Sequence, residues 1–281
     1  MTVRIAQISD THIGESRPVF NGNFECLAET LQADRPDLVI NTGDLSLDGA
    51  DHEADLRRAL AMHEAVGLPW RAIPGNHDIG DSEGIGSAQP IDGTRRRRYL
   101  DVFGEDWWSH DVPGWRLIAI NAQLAGSSLA EAQAQAQAMF VREAVASAAG
   151  RAVALFVHKP LFDRSAGETV VGGRFLPPVA RAELMRCLEG GDLRLVASGH
   201  VHQARETGAA GVRHIWAPST ACVLPEFMQP TYGRKVVGYV EHRLHADGSF
   251  DIRLVEEPAG MVRHDLVDVP EAYGDVRALK R

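Results

Sequence analysis

Ala72-Ile73-Pro74-Gly75-Asn76-His77-Asp78 is the stretch on which the reading of this chain turns. An apolar run from Pro69 to Ile73 stops in a glycine turn. Two side chains that bind a metal or a phosphate oxygen follow at once. A buried strand that delivers polar groups at its carboxyl end is how α/β proteins build sites. By itself the stretch reads equally well as a polar turn after a strand. Matching groups at other strand ends separate the two readings.

Four other apolar runs end the same way. Val3 to Ile8 stops at Ser9-Asp10-Thr11-His12, and Asp37 to Asn41 at Thr42-Gly43-Asp44. Ala152 to Val157 stops at His158-Lys159-Pro160, and Leu193 to Ala197 at Ser198-Gly199-His200-Val201-His202. Trp115 to Ile120 is a further strand without such an ending. In a parallel sheet these carboxyl ends lie along one edge, so their groups converge. Within Asp10/His12 and His200/His202, residues i and i+2 share a face if strand geometry continues.

Helical spacing falls between the strands. Phe24, Leu27, Ala28 and Leu31 mark one helix, closed at Asp34-Arg35-Pro36. Leu56, Leu60 and His63 mark another, ended by Gly67. Gly80 to Gly93 reads as a loop at the rim of the site. Arg95 to Arg98 lead into Tyr99, Leu100 and Phe103 as the solvated face of a short helix, the other reading being an arginine that reaches a substrate anion. Trp107 and Trp108 read as packing. Leu129 to Ala148 is helical by composition despite an Ala-Gln alternation, with Leu129, Ala136, Met139, Phe140 and Ala144 on one face. Val179 to Leu188 is the last helix before the chain changes character. His214 to Ala217, Val236 to Leu244 and Ser249 to Val255 then read as strands, the last two joined by an Asp247-Gly248 turn. Hairpins after a βαβ half predict a second sheet packed on the first, and the tail from Glu256 is expected to wrap the surface. No linker divides residues 1–281, so one domain is expected, with its motifs in 3–220 and a β-hairpin extension and tail in 221–281.

Composition narrows the function. At 281 residues, with 44% hydrophobic and 24% charged residues, the chain is an ordinary globular protein. A net charge of −9 argues against a nucleic-acid polymer as partner, since that needs a basic stripe. Cys26, Cys187 and Cys222 form no CxxC pair and read as small apolar packing in a reducing cytoplasm. Neither a signal peptide nor an apolar stretch of membrane-spanning length is expected. The hairpins after Val236 offer sheet edges that leave a homo-oligomer open.

The strand ends together present Asp10, His12, Asp44, Asn76, His158, His200 and His202. This oxygen and nitrogen set lacks thiolate and suits borderline divalent metals such as Mn, Fe, Co, Ni or Zn. Seven groups exceed one tetrahedral ion and match two divalent ions sharing a ligand. Asp44, alone on its strand, is the natural bridge. With a bridging hydroxide such a site is left at about +1, a positive island that selects anionic substrates and activates water.

Asp10-Thr11-His12, Gly43-Asp44, Gly75-Asn76-His77-Asp78, His158 and Gly199-His200-Val201-His202 resemble the five signature blocks of the calcineurin-like metallophosphoesterase superfamily. The resemblance covers about residues 3–220 and is nearest to its bacterial class III cyclic-nucleotide and glycerophosphodiester phosphodiesterase branch. It implies a four-layer α/β/β/α sandwich of two mixed β-sheets flanked by helices. It also implies Asp10, His12, Asp44 and His202 around one metal, Asp44, Asn76, His158 and His200 around the other, and His77 as a catalytic residue outside both. The expected activity is hydrolysis of a small phosphodiester by a metal-bridging hydroxide, with a phosphomonoesterase or a non-catalytic scaffold as the alternatives. Asp78 is expected to support the turn rather than react. His52, in the loop after Asp44, is a further residue that could face the pocket. The chain departs from the branch at Lys159-Pro160-Leu161, where a second histidine and prolines are common, and at Asn121-Ala122-Gln123, where an aspartate is common.

Overall fold

The computed structural model describes residues 1–82, 87–125, 127, 131–169 and 172–280. The chain opens with β1 (Thr2–Ile8), α1 (Asn21–Asp34), β2 (Leu38–Asn41), α2 (Glu53–Ala65), β3 (Trp70–Ala72) and the single turn α3 (Asn76–Ile79). Next come α4 (Gly93–Phe103), β4 (Trp108–Val112), β5 (Trp115–Ile120), α5 (Glu131–Ala146), β6 (Ala152–Val157), α6 (Pro178–Cys187) and β7 (Asp192–Ser198). The remainder holds β8 (Arg205–Ala209), β9 (Val212–Trp216), β10 (Cys222–Val223), β11 (Gly238–His245), β12 (Phe250–Glu256), β13 (His264–Asp265) and the short α7 (Pro270–Tyr273).

Two mixed sheets carry these strands. One runs β12-β11-β1-β2-β3 and the other β4-β5-β6-β7-β9-β8. Strands β1 to β3 are parallel in the first, and β5, β6, β7 and β9 in the second. Their side chains alternate between two surroundings, as the period of two requires. In β6, Ala152, Ala154 and Phe156 meet Ile5, Ile40 and Val240 of the other sheet, while Val153, Leu155 and Val157 pack with Val141, Val145 and Leu184 of α5 and α6. On the first sheet, Ala6, Ile8 and Val39 pack under Phe24, Leu27 and Leu56 of α1 and α2. The layers are therefore α/β/β/α.

Several expectations change here. The strand ends do not share one edge of a single sheet: β1, β2 and β3 bring theirs from one sheet, β6 and β7 from the other. The β11–β12 hairpin does not start the second sheet. It pairs antiparallel with β1, from Thr2 opposite His245 to Gln7 opposite Val240. Strand β4 was hidden because Ser109, His110 and Asp111 give an edge strand a polar sequence. The inward face of α5 is Gln137, Val141, Ala144 and Val145, whereas Met139 is exposed. Gln137 turns inward because Oε1 accepts the Asn121 N–H at 2.8 Å and Nε2 donates to the Asn121 carbonyl at 3.1 Å. The proposed start at Leu129, and the 83–86 part of the rim loop, lie outside the described residues.

Histidine 63 shows what such a core demands of a titratable group. It packs between Phe24 and Trp70, Nδ1 donates to the Ala59 carbonyl at 2.8 Å, and Nε2 accepts from Asn41 Nδ2 at 3.0 Å. Burial pushes its pKa down to about 4, from 6.5. Between those values the unfolded chain binds the extra proton, so stability rises with pH across that window. The contribution is fully present above pH 6.5, is lost on the way down to about pH 4, and amounts to about 3 kcal/mol. His63→Phe keeps the ring and removes the titration. Its urea midpoint is expected to fall less steeply than that of the unsubstituted protein between pH 6.5 and 4. Parallel curves would show that His63 does not titrate as described.

Candidate metal centre

The strands stop short of the groups they deliver. Beyond β1 and β7 the backbone does not stay extended: Asp10 and His12 have φ of 52° and 43°, and His200 and His202 of 67° and 51°. Asp44 has φ 52°. The left-handed region is uncommon for residues with a Cβ, and Asp and His tolerate it better than most. Each costs on the order of 1 kcal/mol or more, held in place by the surrounding packing. So i and i+2 converge here through two left-handed residues flanking Thr11 or Val201, and the idea of a continued strand face is corrected.

Two glycines let the blocks interlock. A Cβ on Gly75 would lie 2.1 Å from Asp44 Oδ1, and one on Gly199 would lie 2.6 Å from Asp10 Oδ2. In that space the His77 N–H donates to Asp44 Oδ1 at 2.8 Å and the His200 N–H to Asp10 Oδ2 at 2.9 Å. Asp78 secures the same turn, with Oδ2 accepting from the Gly75 and Leu45 N–H groups and Oδ1 from the Ser46 N–H and hydroxyl. Burial raises its pKa to about 6, and the charge of Asp44 adds to this.

All seven strand-end residues come together. Ligand atoms of Asp10, His12 and His202 lie within 4.8 Å of one another, as do those of Asp44, His158 and His200. A third group of the same tightness joins His12, Asp44 and His77. Asn76 Oδ1 is 3.3 Å from His158 Nε2.

The hydrogen bonds around the imidazoles test whether cations fit. His158 Nδ1 lies 2.8 Å from the Thr42 carbonyl, His202 Nδ1 2.8 Å from the Cys222 carbonyl, and His200 Nε2 2.9 Å from the Gly173 carbonyl. A carbonyl only accepts, so those nitrogens carry the ring proton and the opposite nitrogens present lone pairs. The lone-pair nitrogens crowd one another: His158 Nε2 and His200 Nδ1 are 3.1 Å apart, His202 Nε2 and His12 Nε2 3.2 Å. Asp44 Oδ2 lies 3.2 Å from His158 Nε2, and Asp10 Oδ1 3.4 Å from His202 Nε2. Acceptors converge on acceptors, an arrangement that calls for cations, and metal-binding histidines typically give their other N–H to a carbonyl in this way.

Without a cation, protons meet part of this demand, so two of the rings hold a second proton between the converging acceptors. Burial opposes charge on His158, but the Asp44 carboxylate outweighs it and lifts the pKa to about 9. Burial likewise opposes charge on His202, and Asp10 lifts it well above the usual range. Burial drives His12 and His200 well below theirs, helped by the charges of His77 and His158 respectively. Burial raises Asp10, yet His202 brings it to about 2. Each histidine pair thus holds one charged ring beside a carboxylate, and metal uptake would displace those protons.

Other suspected residues are elsewhere. Arg95 pairs with Asp51 and Asp92, Arg96 with Asp106, and Arg98 donates to the Ala50 carbonyl. His52 is exposed, 3.5 Å from Asp48. None of these lines the pocket over the seven residues, a cavity of about 520 Å³. Arg174 does line it; its guanidinium donates to the Met228 carbonyl, and among the described residues no carboxylate pairs with it. No sequence signal marked it. The departures from the expected blocks also find partners. Buried Lys159 pairs with Asp81 on the pocket wall. In the orientation its neighbours require, Gln123 donates to Asp81 Oδ1 at 2.9 Å and accepts from the Asn76 N–H at 3.3 Å. Cys222 contributes more than packing, through its carbonyl on His202. The tail does not merely wrap the surface: Leu266, Ala272 and Val276 bury themselves against Phe20, Leu47 and Cys222, and Tyr273 enters the pocket.

Fold and donor set together define the metal-dependent phosphoesterases of the four-layer α/β/β/α class. The chain belongs to the calcineurin-like phosphoesterase family, whose model matches residues 3–204. It is similar to a probable cyclic nucleotide phosphodiesterase of Synechococcus sp., 27% identical over 89% of this chain and 91% of that protein. It is similar too to the 3',5'-cyclic adenosine monophosphate phosphodiesterase CpdA of Pseudomonas aeruginosa, 28% identical over 89% of this chain and 88% of the relative. Among solved structures, the purple acid phosphatase PPD1 of yellow lupin shares the fold with a TM-score of 0.65 and 18% identity, over 93% of this chain and 52% of that one. Among the described residues no helix is long and apolar enough to cross a membrane.

Proposed function

We propose that this hydrolase is a dinuclear phosphodiesterase acting on a small phosphodiester of the cyclic-nucleotide type. The observation that carries the reading is the pair of lone-pair clusters, one on each side of Asp44. Asp10, His12, Asp44 and His202 would hold one divalent ion, and Asp44, Asn76, His158 and His200 the other. The all-nitrogen-and-oxygen donor set favours Mn, Fe, Zn or Co. When bound, the two ions supply Lewis acidity toward phosphoryl oxygens and water activated near neutral pH.

The chain's own groups do the rest. Asn76 adds an oxygen without charge, which keeps the site positive enough for an anion. His77 Nδ1 lies 3.0 Å from the Leu47 carbonyl and donates to it, so Nε2 is the nitrogen left for substrate. There the ring, when charged, would donate to a phosphoryl oxygen or protonate the leaving alkoxide. Leu224, Met228, Leu266 and Val276 also line the pocket and give its wall apolar surface that suits an organic ester group. That wall is what favours a diester, and the two phosphodiesterase relatives support the same class. Arg174, with no carboxylate partner among the described residues, favours the second reading, a monoester carrying more negative charge.

Paired assays with bis(p-nitrophenyl) phosphate and p-nitrophenyl phosphate decide between them. The expected kcat/KM is at least about tenfold higher for the diester, a difference of about 1.4 kcal/mol in transition-state binding. Preference for the monoester would sink the diester reading. Metal analysis of the purified protein that finds no stoichiometric metal would leave only a scaffold.

A further inference from the structure

We propose that Tyr273, in the C-terminal segment beyond the family-matched residues, is a positioning residue that completes the metal centre by orienting His12. The proposal rests on the two-ion assignment above. Three of the four histidines around the ions are fixed by backbone carbonyls, those of Thr42, Gly173 and Cys222. Among the described residues no backbone carbonyl meets His12 Nδ1. The Tyr273 hydroxyl stands there instead, 2.6 Å away.

The proton count gives the hydroxyl one productive arrangement. The Tyr273 O–H donates to the Leu47 carbonyl at 3.3 Å, and its oxygen accepts the His12 Nδ1–H. His12 Nε2 then presents its lone pair beside His202 Nε2, where the cation would sit. In the reverse arrangement Nε2 would carry the proton and face the cation. The Leu47 carbonyl also accepts from His77 Nδ1 at 3.0 Å, so one oxygen ties the tyrosine to both His12 and His77. The tyrosine ring packs against both, with centroids 5.9 Å from His12 and 5.2 Å from His77.

The segment is seated firmly enough for this role. Ala272 is buried with Phe20, Leu47 and Cys222, and its carbonyl accepts from Arg17 Nη1 at 2.7 Å. Strand β13 pairs with β10, which holds the Cys222 carbonyl that orients His202. Both histidines of one cation site are thus governed by chain outside residues 3–204.

The test is a calorimetric titration of chelator-stripped full-length protein with Mn²⁺. The unsubstituted protein is expected to take up two ions. Tyr273→Phe keeps the ring, so the urea midpoint of the metal-free protein should stay near the original. One of the two Mn²⁺ sites should weaken by about 10- to 100-fold while the other is unchanged. An unchanged isotherm for Tyr273→Phe overturns the proposal, as does equal weakening of both sites. If the unsubstituted protein binds fewer than two ions, the two-ion assignment fails and takes the proposal with it.

Discussion

Asp44→Asn is expected to abolish uptake of at least one ion and to lower turnover by about 10³-fold or more. The estimate follows from the several kcal/mol of charge stabilisation that bound metals supply, at about 1.4 kcal/mol per factor of ten. Asp44 is buried, and its Oδ2 lies 3.2 Å from His158 Nε2 and 4.0 Å from His12 Nε2, reaching both histidine pairs. No other carboxylate among the described residues belongs to two of the three ligand groups. An asparagine of the same shape still accepts the His77 N–H through its oxygen, so the glycine turn should survive. It loses the charge that a shared ligand needs. Full metal content with unchanged turnover would show that Asp44 does not bridge.

His77→Ala should part the two functions of the opening turn. Metal content is expected to stay near that of the unsubstituted protein, while turnover falls by about 10²- to 10⁴-fold, the range for a lost proton donor or phosphoryl contact. The backbone N–H that reaches Asp44 is untouched by this change, so the carboxylate keeps its support. The prediction is exposed to failure, because ligand atoms of His12, Asp44 and His77 also cluster within 4.8 Å. Metal analysis alongside the rate decides: equal loss of metal and activity would make His77 a ligand and not a catalytic group.

Much of the site was legible in the sequence because it is written locally. A short run of buried residues, a glycine and an Asp or His at its end are adjacent in the chain, and five such endings in order select few arrangements. The helix ends were legible for the same reason, with Arg35 and Gly67 taking the left-handed conformations that close α1 and α2. Arg95 to Arg98 were harder, since a run of arginines looks alike whether it meets Asp51 and Asp106 or a substrate. Gln137 looked like a surface residue, and only the end of β5 explains why it points inward.

The chain's own order thus determined the donors, their sequence along the strands and the four-layer class that they resemble. Tertiary structure decided how those donors are aimed. The Cys222 carbonyl on His202, the Gly173 carbonyl on His200 and the Tyr273 hydroxyl on His12 lie 20, 27 and 261 residues from the rings they fix. The β11–β12 hairpin reached β1 across the length of the chain, and Arg174 came to line the pocket without a carboxylate partner among the described residues. Such pairings carry no local signature: they form when buried polar groups from distant segments must find partners as water is expelled, and which partner is in reach depends on how the whole chain packs.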